Sequence, residues 1–155
     1  MTKAPEAGDA APDFDLETDT GRVRMADLKG KTVVLYFYPK DDTSGCTAEG
    51  IAFSEAIGEF KKAGAVVVGV SKDSARKHAK FREKYDLKVE LGADPDGEVV
   101  ERYGVWVEKS MYGRKYMGIE RATFLIGPDG KVRQVWHKVK VPGHAAEVLA
   151  AAKKL

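Results

Sequence analysis

The sequence predicts an α/β fold built on a central mixed sheet, with helices on both faces and an N-terminal β-hairpin extension. Residues 31–38 and 65–70 are uninterrupted β-branched and aromatic runs, which are typical of strands buried on both faces. Each run is followed by apolar residues at helical spacing. Strands that alternate with helices in this way indicate a sheet covered by helices.

The first elements precede the buried runs. Residues 1–11 are rich in Ala, Pro and Gly, and we expect them to form a loose arm. Residues 14–25 alternate apolar and polar side chains around a turn-like Thr-Asp-Thr-Gly, which predicts a hairpin. The strand over 31–38 then ends at Pro39.

Two helices are predicted next. From about Ser44 to Phe60 the apolar residues fall at helical spacing, and Gly64 is well placed to end that helix. After the second buried strand, Ser74 is predicted to cap a helix that runs to about Tyr85 and turns residues such as Ala79 inward.

The second half of the chain is less regular. A short strand over 89–91 and a short helix over 98–103 precede residues 106–120, which show no clear period and are predicted to form a loop. The last elements are two strands joined by a tight Gly-Pro-Asp-Gly turn and a helix opened by Pro142; the strands cover 122–126 and 132–137.

Composition limits the classes of function. The chain has 155 residues, which predicts one domain over 1–155, and its net charge of +2 comes from thoroughly mixed basic and acidic residues. That balance gives no general case for nucleic acid or anionic lipid as a partner. No apolar run is long enough to span a membrane, and we expect neither a membrane nor a secretory signal.

The chain contains one cysteine, Cys46. A single cysteine forms no internal disulfide, which favours a reducing compartment, and we expect the cytoplasm. Cys46 falls where a buried strand has ended and a helix begins. The first N–H groups of a helix lack internal partners and its dipole favours an anion there, so this position favours a nucleophilic thiolate.

Three neighbours refine this interpretation. Pro39 fixes the chain direction after the strand, and Thr43 lies close enough for its hydroxyl to face the same pocket as Cys46. Glu49, one turn into the helix, can orient a nearby cation. Taken singly, a free cysteine is more often buried and inert, and a threonine before a helix is more often a cap.

Pro39, Thr43 and Cys46 form the pattern P-x-x-x-T-x-x-C, within the run YFYPKDDTSGCTAEGIAF. This pattern resembles the peroxiredoxins, and the longer run resembles their bacterioferritin comigratory protein branch, also called peroxiredoxin Q. The resemblance continues through VVVGVSKDS and KSMYGRKYMGIERATFLIGPDG to the C-terminal helix. It implies a thioredoxin-like fold and no metal or organic cofactor.

The resemblance also implies roles for individual residues. Cys46 would be the peroxidatic cysteine, Thr43 would hydrogen-bond the peroxide, and Pro39 would shield the site from water. Arg121, which opens the predicted strand 122–126, would stabilise the thiolate; an arginine suits this role because it stays protonated and presents several fixed donors. From the sequence alone Arg121 is more often part of an ordinary surface ion pair.

The sequence departs from many relatives in lacking a second, resolving cysteine. One common place for it corresponds to Ile51 and another lies near Arg82. We therefore expect a one-cysteine peroxidase acting on hydrogen peroxide and organic hydroperoxides. An external thiol would recycle Cys46, either thioredoxin or glutaredoxin with glutathione, and the branch resemblance favours a monomer.

Three other functions remain open at this point. One is a binding or chaperone-like module with an incidental cysteine, and another is a thiol–disulfide oxidoreductase, although Thr43 occupies the place of the other cysteine in Cys-x-x-Cys. A Cys–His hydrolase would need His78, His137 or His144 beside Cys46. In the predicted loop, four large side chains either line the pocket or anchor the loop: Trp106, Tyr112, Tyr116 and Met117.

Overall fold

A seven-stranded mixed sheet forms the centre of the computed structural model, which describes residues 3–155. The strand order is β2-β1-β5-β4-β3-β8-β9, and β6 pairs with β7 in a separate two-stranded ribbon. The strands are β1 (Asp15–Thr18), β2 (Gly21–Arg24), β3 (Thr32–Phe37), β4 (Ala65–Ser71), β5 (Glu90–Ala93), β6 (Trp106–Met111), β7 (Arg114–Ile119), β8 (Ala122–Ile126) and β9 (Val132–Trp136).

The centre of the sheet confirms the predicted buried strands. Strand β3 pairs in parallel with β4 and antiparallel with β8, and all six of its residues are buried. Strands β1 and β2 form the predicted hairpin, which joins the sheet through β5. The loop that leads to α1 and Cys46 begins where β3 ends. The most buried part of the sheet therefore fixes the start of this loop.

Helices cover both faces of the sheet, as predicted. On one face, α1, α2, α3 and α5 pack against alternate residues of β3, including Val34 and Tyr36. On the other, α4 packs with the segment around Phe14 against residues such as Leu35. The helices are α1 (Ser44–Glu55), α2 (Ile57–Lys62), α3 (Ala75–Tyr85), α4 (Glu98–Arg102) and α5 (His144–Lys153), and Met25–Leu28 forms a 3₁₀ turn.

The prediction of a loop over 106–120 is wrong, because this stretch forms the β6–β7 ribbon. Tyr112 and Gly113 make its two-residue turn with left-handed φ values of 52° and 79°, a conformation suited to tight hairpins. Of the two roles left open for its large side chains, anchoring fits Trp106, which packs against the core, but not Tyr112, which is 99% exposed at the tip. Most of the ribbon stands clear of the core, so its sequence lacks the apolar alternation of a half-buried strand.

The N-terminal segment is also more ordered than expected. Backbone hydrogen bonds join residues 8–11 to residues 130–132, and Ala10 forms a bridge with Lys131. Ala11 is buried against the core. Residues 8–11 are therefore fixed to the edge of the sheet, whereas residues 1–2 of the predicted arm lie outside the described part of the chain.

Two details of the predicted helices also differ. The first helix is interrupted at Ala56, which separates α1 from α2. In α3 the expected inward residue Ala79 is exposed, while the neighbouring His78 is completely buried. The Ser74 cap is confirmed, since its hydroxyl accepts from the backbone N–H of Lys77 at 3.2 Å. No helix within residues 3–155 has the length and apolarity needed to cross a membrane.

Candidate active site

The loop between β3 and α1 sets the position of Cys46. Thr43 is the last non-helical residue, with extended backbone, and Cys46 is the third residue of α1. Its side chain therefore lies beside the first N–H groups of the helix, which have no partners within it and attract negative charge. Cys46 is only 2% exposed, so the thiol is sheltered from solvent.

Arg121 reaches the thiol from the other side. It lies between β7 and β8, 75 residues from Cys46 in the chain, and its Nη2 donates to Cys46 Sγ at 3.4 Å. Its Nη1 donates to Glu49 Oε1 at 2.7 Å. One guanidinium thus bridges the thiol and a carboxylate of the same helix, a planar geometry that arginine supports and lysine does not.

Gly45 makes this approach possible, a feature that sequence reasoning missed. A Cβ at this position would lie 3.1 Å from Arg121 Nη2 and 3.7 Å from its Cζ. The guanidinium therefore packs directly on the backbone of the first turn of α1. The residue next to Cys46 in the sequence leaves room for the cation.

Glu49 is the most deeply buried charged group of the site, at 1% exposure. Burial raises the pKa of its carboxyl to about 7, against the opposing effect of Arg121. Its second oxygen, Oε2, has no hydrogen-bond partner among the described residues. Burial lowers the pKa of Arg121, but Glu49 and Cys46 outweigh that effect and hold it above its usual value, so the guanidinium stays charged.

Thr43 lies at the exposed rim of the site. Its hydroxyl makes no helix-capping bond and instead donates to the carbonyl of Lys40 at 2.9 Å. Since the hydroxyl proton is used there, the oxygen presents its lone pairs and can accept a proton from a ligand. Pro39, half-buried, begins the same loop.

Lys109 of β6 adds a second cation, and sequence reasoning missed it because the ribbon was predicted to be a loop. Burial, and then the charge of Arg121, lower the pKa of Lys109, while Cys46 opposes this. Lys109, which pairs with Tyr116 midway along the ribbon, is thus subject to the charges of Arg121 and Cys46. No pattern in the sequence indicates this proximity.

The three histidines have other partners. His78 bonds to Asp41 and the carbonyl of Gly92, His137 to Glu120, and His144 to Thr123. None of them forms a hydrogen bond with Cys46, so the geometry gives a Cys–His hydrolase no base. Within residues 3–155, no three His, Cys, Asp or Glu side chains are grouped so that they could hold a metal ion.

Fold and site together define a class of protein: a thiol peroxidase with one sheltered cysteine at a helix N-terminus, held against an arginine. Residues 7–135 match the AhpC/TSA family, and the chain belongs to that family. It has the thioredoxin-like fold of the peroxiredoxins. The enzyme is thus a peroxiredoxin, an oxidoreductase that depends on a thiol.

Within the family the chain lies in the bacterioferritin comigratory protein, or peroxiredoxin Q, branch. It is 46% identical to peroxiredoxin Bcp of Bacillus subtilis over 151 residues, which cover 97% of this chain and 96% of the relative. It is 50% identical to peroxiredoxin Bcp of Xanthomonas campestris, with 92% and 91% covered. A solved structure of Xanthomonas campestris peroxiredoxin Q superposes with a TM-score of 0.88 at 44% identity, covering 97% and 96% of the two chains.

Proposed function

We propose that the protein reduces hydrogen peroxide and organic hydroperoxides by a one-cysteine mechanism, with Cys46 as the reacting thiol and an external thiol as reductant. The observation that carries the proposal is the 3.4 Å hydrogen bond from Arg121 to Cys46 Sγ, made at the N-terminus of α1. Two sources of positive potential converge on one buried sulfur. Both stabilise the negative charge that the sulfur and the peroxide oxygens share during the attack.

In the first step the Cys46 thiolate attacks one oxygen of the peroxide. A sulfur–oxygen bond forms and the O–O bond breaks. The second oxygen leaves as hydroxide or alkoxide and takes a proton from solvent to become water or an alcohol. Cys46 is oxidised to a sulfenic acid while the peroxide is reduced by two electrons. Arg121 and the free N–H groups of α1 stabilise the negative charge spread over the two oxygens in the transition state.

The surrounding residues hold this arrangement. Thr43 accepts a hydrogen bond from the peroxide O–H, since its own hydrogen is donated to the carbonyl of Lys40. Pro39 covers the loop and limits access of water to the pocket. Glu49 fixes the guanidinium of Arg121 through the 2.7 Å bond, so that Nη2 points at the sulfur. Glu49 therefore acts as a positioning residue, while Thr43 and Arg121 act on the reacting atoms.

In the second step an external thiol condenses with the sulfenic acid, releasing water and forming a mixed disulfide. A further thiol then attacks that disulfide and releases reduced Cys46. Thioredoxin, or glutaredoxin with glutathione, has the required chemistry. We propose that the protein works as a monomer in the cytoplasm, where a lone cysteine stays reduced.

The position of a second cysteine in relatives supports the external step. Solved structures of Xanthomonas campestris peroxiredoxin Q include variants in which either of two cysteines is changed to serine; the two positions are 36 residues apart. Arg82 lies at the same distance after Cys46 here. Its guanidinium donates to both carboxylate oxygens of Asp19 and to the carbonyl of Leu87. A side chain with a structural role thus stands where those relatives have their second cysteine.

Stopped-flow measurement of thiol oxidation tests the proposal. We expect the wild type to react with hydrogen peroxide and with an organic hydroperoxide far faster than free cysteine at the same pH, and Cys46→Ser to show no reaction. Turnover should resume when thioredoxin or glutaredoxin with glutathione is added. A wild-type rate equal to that of free cysteine would refute the proposal, and the binding-module interpretation would replace it.

A further inference from the structure

Asp41, within the catalytic loop between Pro39 and Thr43, joins that loop to a buried hydrogen-bond network. Tyr38 Oη donates to Asp41 Oδ1 at 2.6 Å, and His78 Nδ1 lies 2.7 Å from Asp41 Oδ2. His78 belongs to α3 and is completely buried; the Tyr38 and Asp41 residues are 1% and 9% exposed. We call Tyr38, Asp41 and His78 the loop-anchoring triad.

The chemistry of the partners fixes the protons of the triad. The carbonyl of Gly92 can only accept, so His78 Nε2 carries a hydrogen and donates to it at 3.0 Å. A second hydrogen lies between His78 Nδ1 and Asp41 Oδ2, because two lone pairs would repel each other at 2.7 Å. The remaining Asp41 oxygen accepts from Tyr38, so each inward-facing polar atom of the three side chains has a partner. A network buried and satisfied in this way is rigid, and breaking one member leaves the others unpaired.

Further hydrogen bonds join the loop to Asp73 and to α3. The Asp41 N–H donates to Asp73 Oδ2 at 2.8 Å, and Asp73 also accepts from Ser71. The next residue, Asp42, has a left-handed φ of 61°, which is unfavourable for most side chains. It bonds to Lys84 of α3, but this exposed ion pair is of a kind that contributes little. Tyr85 of α3 also donates its hydroxyl to Asp42. The triad is thus the buried side-chain link between the loop and α3, and it acts together with the backbone bond to Asp73.

We propose that the loop-anchoring triad positions the catalytic loop, and with it Thr43 and the N-terminus of α1, for attack by Cys46 on the peroxide. None of the three residues is hydrogen-bonded to Cys46, and each acts on the reaction through the loop. The proposal rests on the proposed function, because it concerns the same reaction. It assigns a role to His78, which the mechanism does not otherwise use.

The sequence offers a matched control for this proposal. Tyr103, like Tyr38, is a buried tyrosine, and its hydroxyl donates at 2.6 Å to the carbonyl of Pro12, in the core cluster on the opposite face of the sheet. Tyr38→Phe and Tyr103→Phe therefore delete the same group from comparable surroundings. Only the first deletion touches the catalytic loop.

Asp41 allows a conservative rescue. In Asp41→Asn the amide oxygen can still accept from Tyr38 while the amide nitrogen donates to neutral His78 Nδ1, so the connections survive. In Asp41→Ala they are lost. We expect Asp41→Ala and His78→Gln to slow oxidation of Cys46 by hydrogen peroxide about tenfold or more, because small displacements of reacting groups are costly. Tyr38→Phe should be slowed less, and Asp41→Asn and Tyr103→Phe should stay within about threefold of the wild type.

The two half-reactions are measured separately, with thermal unfolding of each variant alongside. Since Cys46 is buried, releasing the loop should speed the reaction of its sulfenic acid with a small external thiol while it slows the peroxide step. Opposite effects on the two steps, with Asp41→Asn close to the wild type, support the proposal. If His78→Gln and Asp41→Ala match Tyr103→Phe in both steps, the proposal is wrong; if the wild type itself fails to react with peroxide, the proposed function is wrong instead.

Discussion

Replacing Arg121 with methionine removes the guanidinium while keeping an apolar chain of similar reach. Nη2 lies 3.4 Å from Cys46 Sγ. At an effective dielectric constant of about 20, two unit charges at that distance attract by about 5 kcal/mol. Glu49 offsets part of this attraction when ionised, so we expect a net loss of about 2–3 kcal/mol, in the range measured for hydrogen bonds to charged groups.

A loss of that size corresponds to a peroxide reaction about 30- to 150-fold slower. Stopped-flow oxidation by hydrogen peroxide at pH 7 measures it directly. Arg121→Lys, which keeps the charge but loses the bridge between Cys46 and Glu49, should fall between the wild type and Arg121→Met.

Arg121→Met also leaves Glu49 buried without its cation. The double variant Arg121→Met, Glu49→Gln removes that unpaired acid and separates its effect on folding from the effect on rate. If Arg121→Met folds normally and reacts with peroxide within threefold of the wild-type rate, the role assigned to Arg121 is refuted.

Three further predictions concern Glu49, Gly45 and Arg82. Because burial raises the pKa of Glu49 from 4.5 to about 7, the folded protein holds a proton that the unfolded chain releases. The contribution of Glu49 to the free energy of unfolding should therefore be greatest below pH 4.5 and fall by about 3 kcal/mol as the pH rises through 7. Urea unfolding of the wild type relative to Glu49→Gln should show this fall, and parallel pH profiles of the two proteins would contradict it. Gly45→Ala should displace the guanidinium of Arg121 and slow the peroxide step about tenfold with little loss of stability, and an unchanged rate would count against the close packing. Arg82→Met should lower the free energy of unfolding by about 1–3 kcal/mol, because it leaves the buried carboxylate of Asp19 unpaired; denaturant unfolding that matches the wild type would show that this tie contributes nothing.

Local patterns in the sequence predicted the part of the fold that lies around Cys46. Strands β3 and β4 are buried on both faces, so their β-branched runs are unmistakable. The change from an uninterrupted apolar run to helical spacing after Pro39 then predicted that Cys46 lies at the start of a helix. These signals depend only on neighbouring residues, which is why sequence reasoning could find them.

Long-range contacts could not be found in this way. Arg121 is 75 residues from Cys46, and its place beside the sulfur depends on the pairing of β3 with β8. The prediction of its role came from family resemblance alone. Charged residues surround His78 in the sequence and give no sign of its burial, yet the fold buries it completely against the catalytic loop.

The prediction for residues 106–120 failed for a different reason. In the described part of the chain β6 and β7 form a sheet of their own with no third strand. Side chains near the turn, such as Met111, are exposed. A strand without a buried face shows no apolar alternation. The remaining signal was the turn at Tyr112 and Gly113, where a tyrosine takes a left-handed conformation that is uncommon for its type.

The most direct test of the account is the intact mass of the protein after reaction with one equivalent of hydrogen peroxide in the absence of any reductant. The account predicts a wild-type product that carries one added oxygen, is trapped by a sulfenic-acid reagent at Cys46, and is absent from Cys46→Ser. An unmodified Cys46 after the peroxide has been consumed, or the added oxygen on another residue, would contradict it.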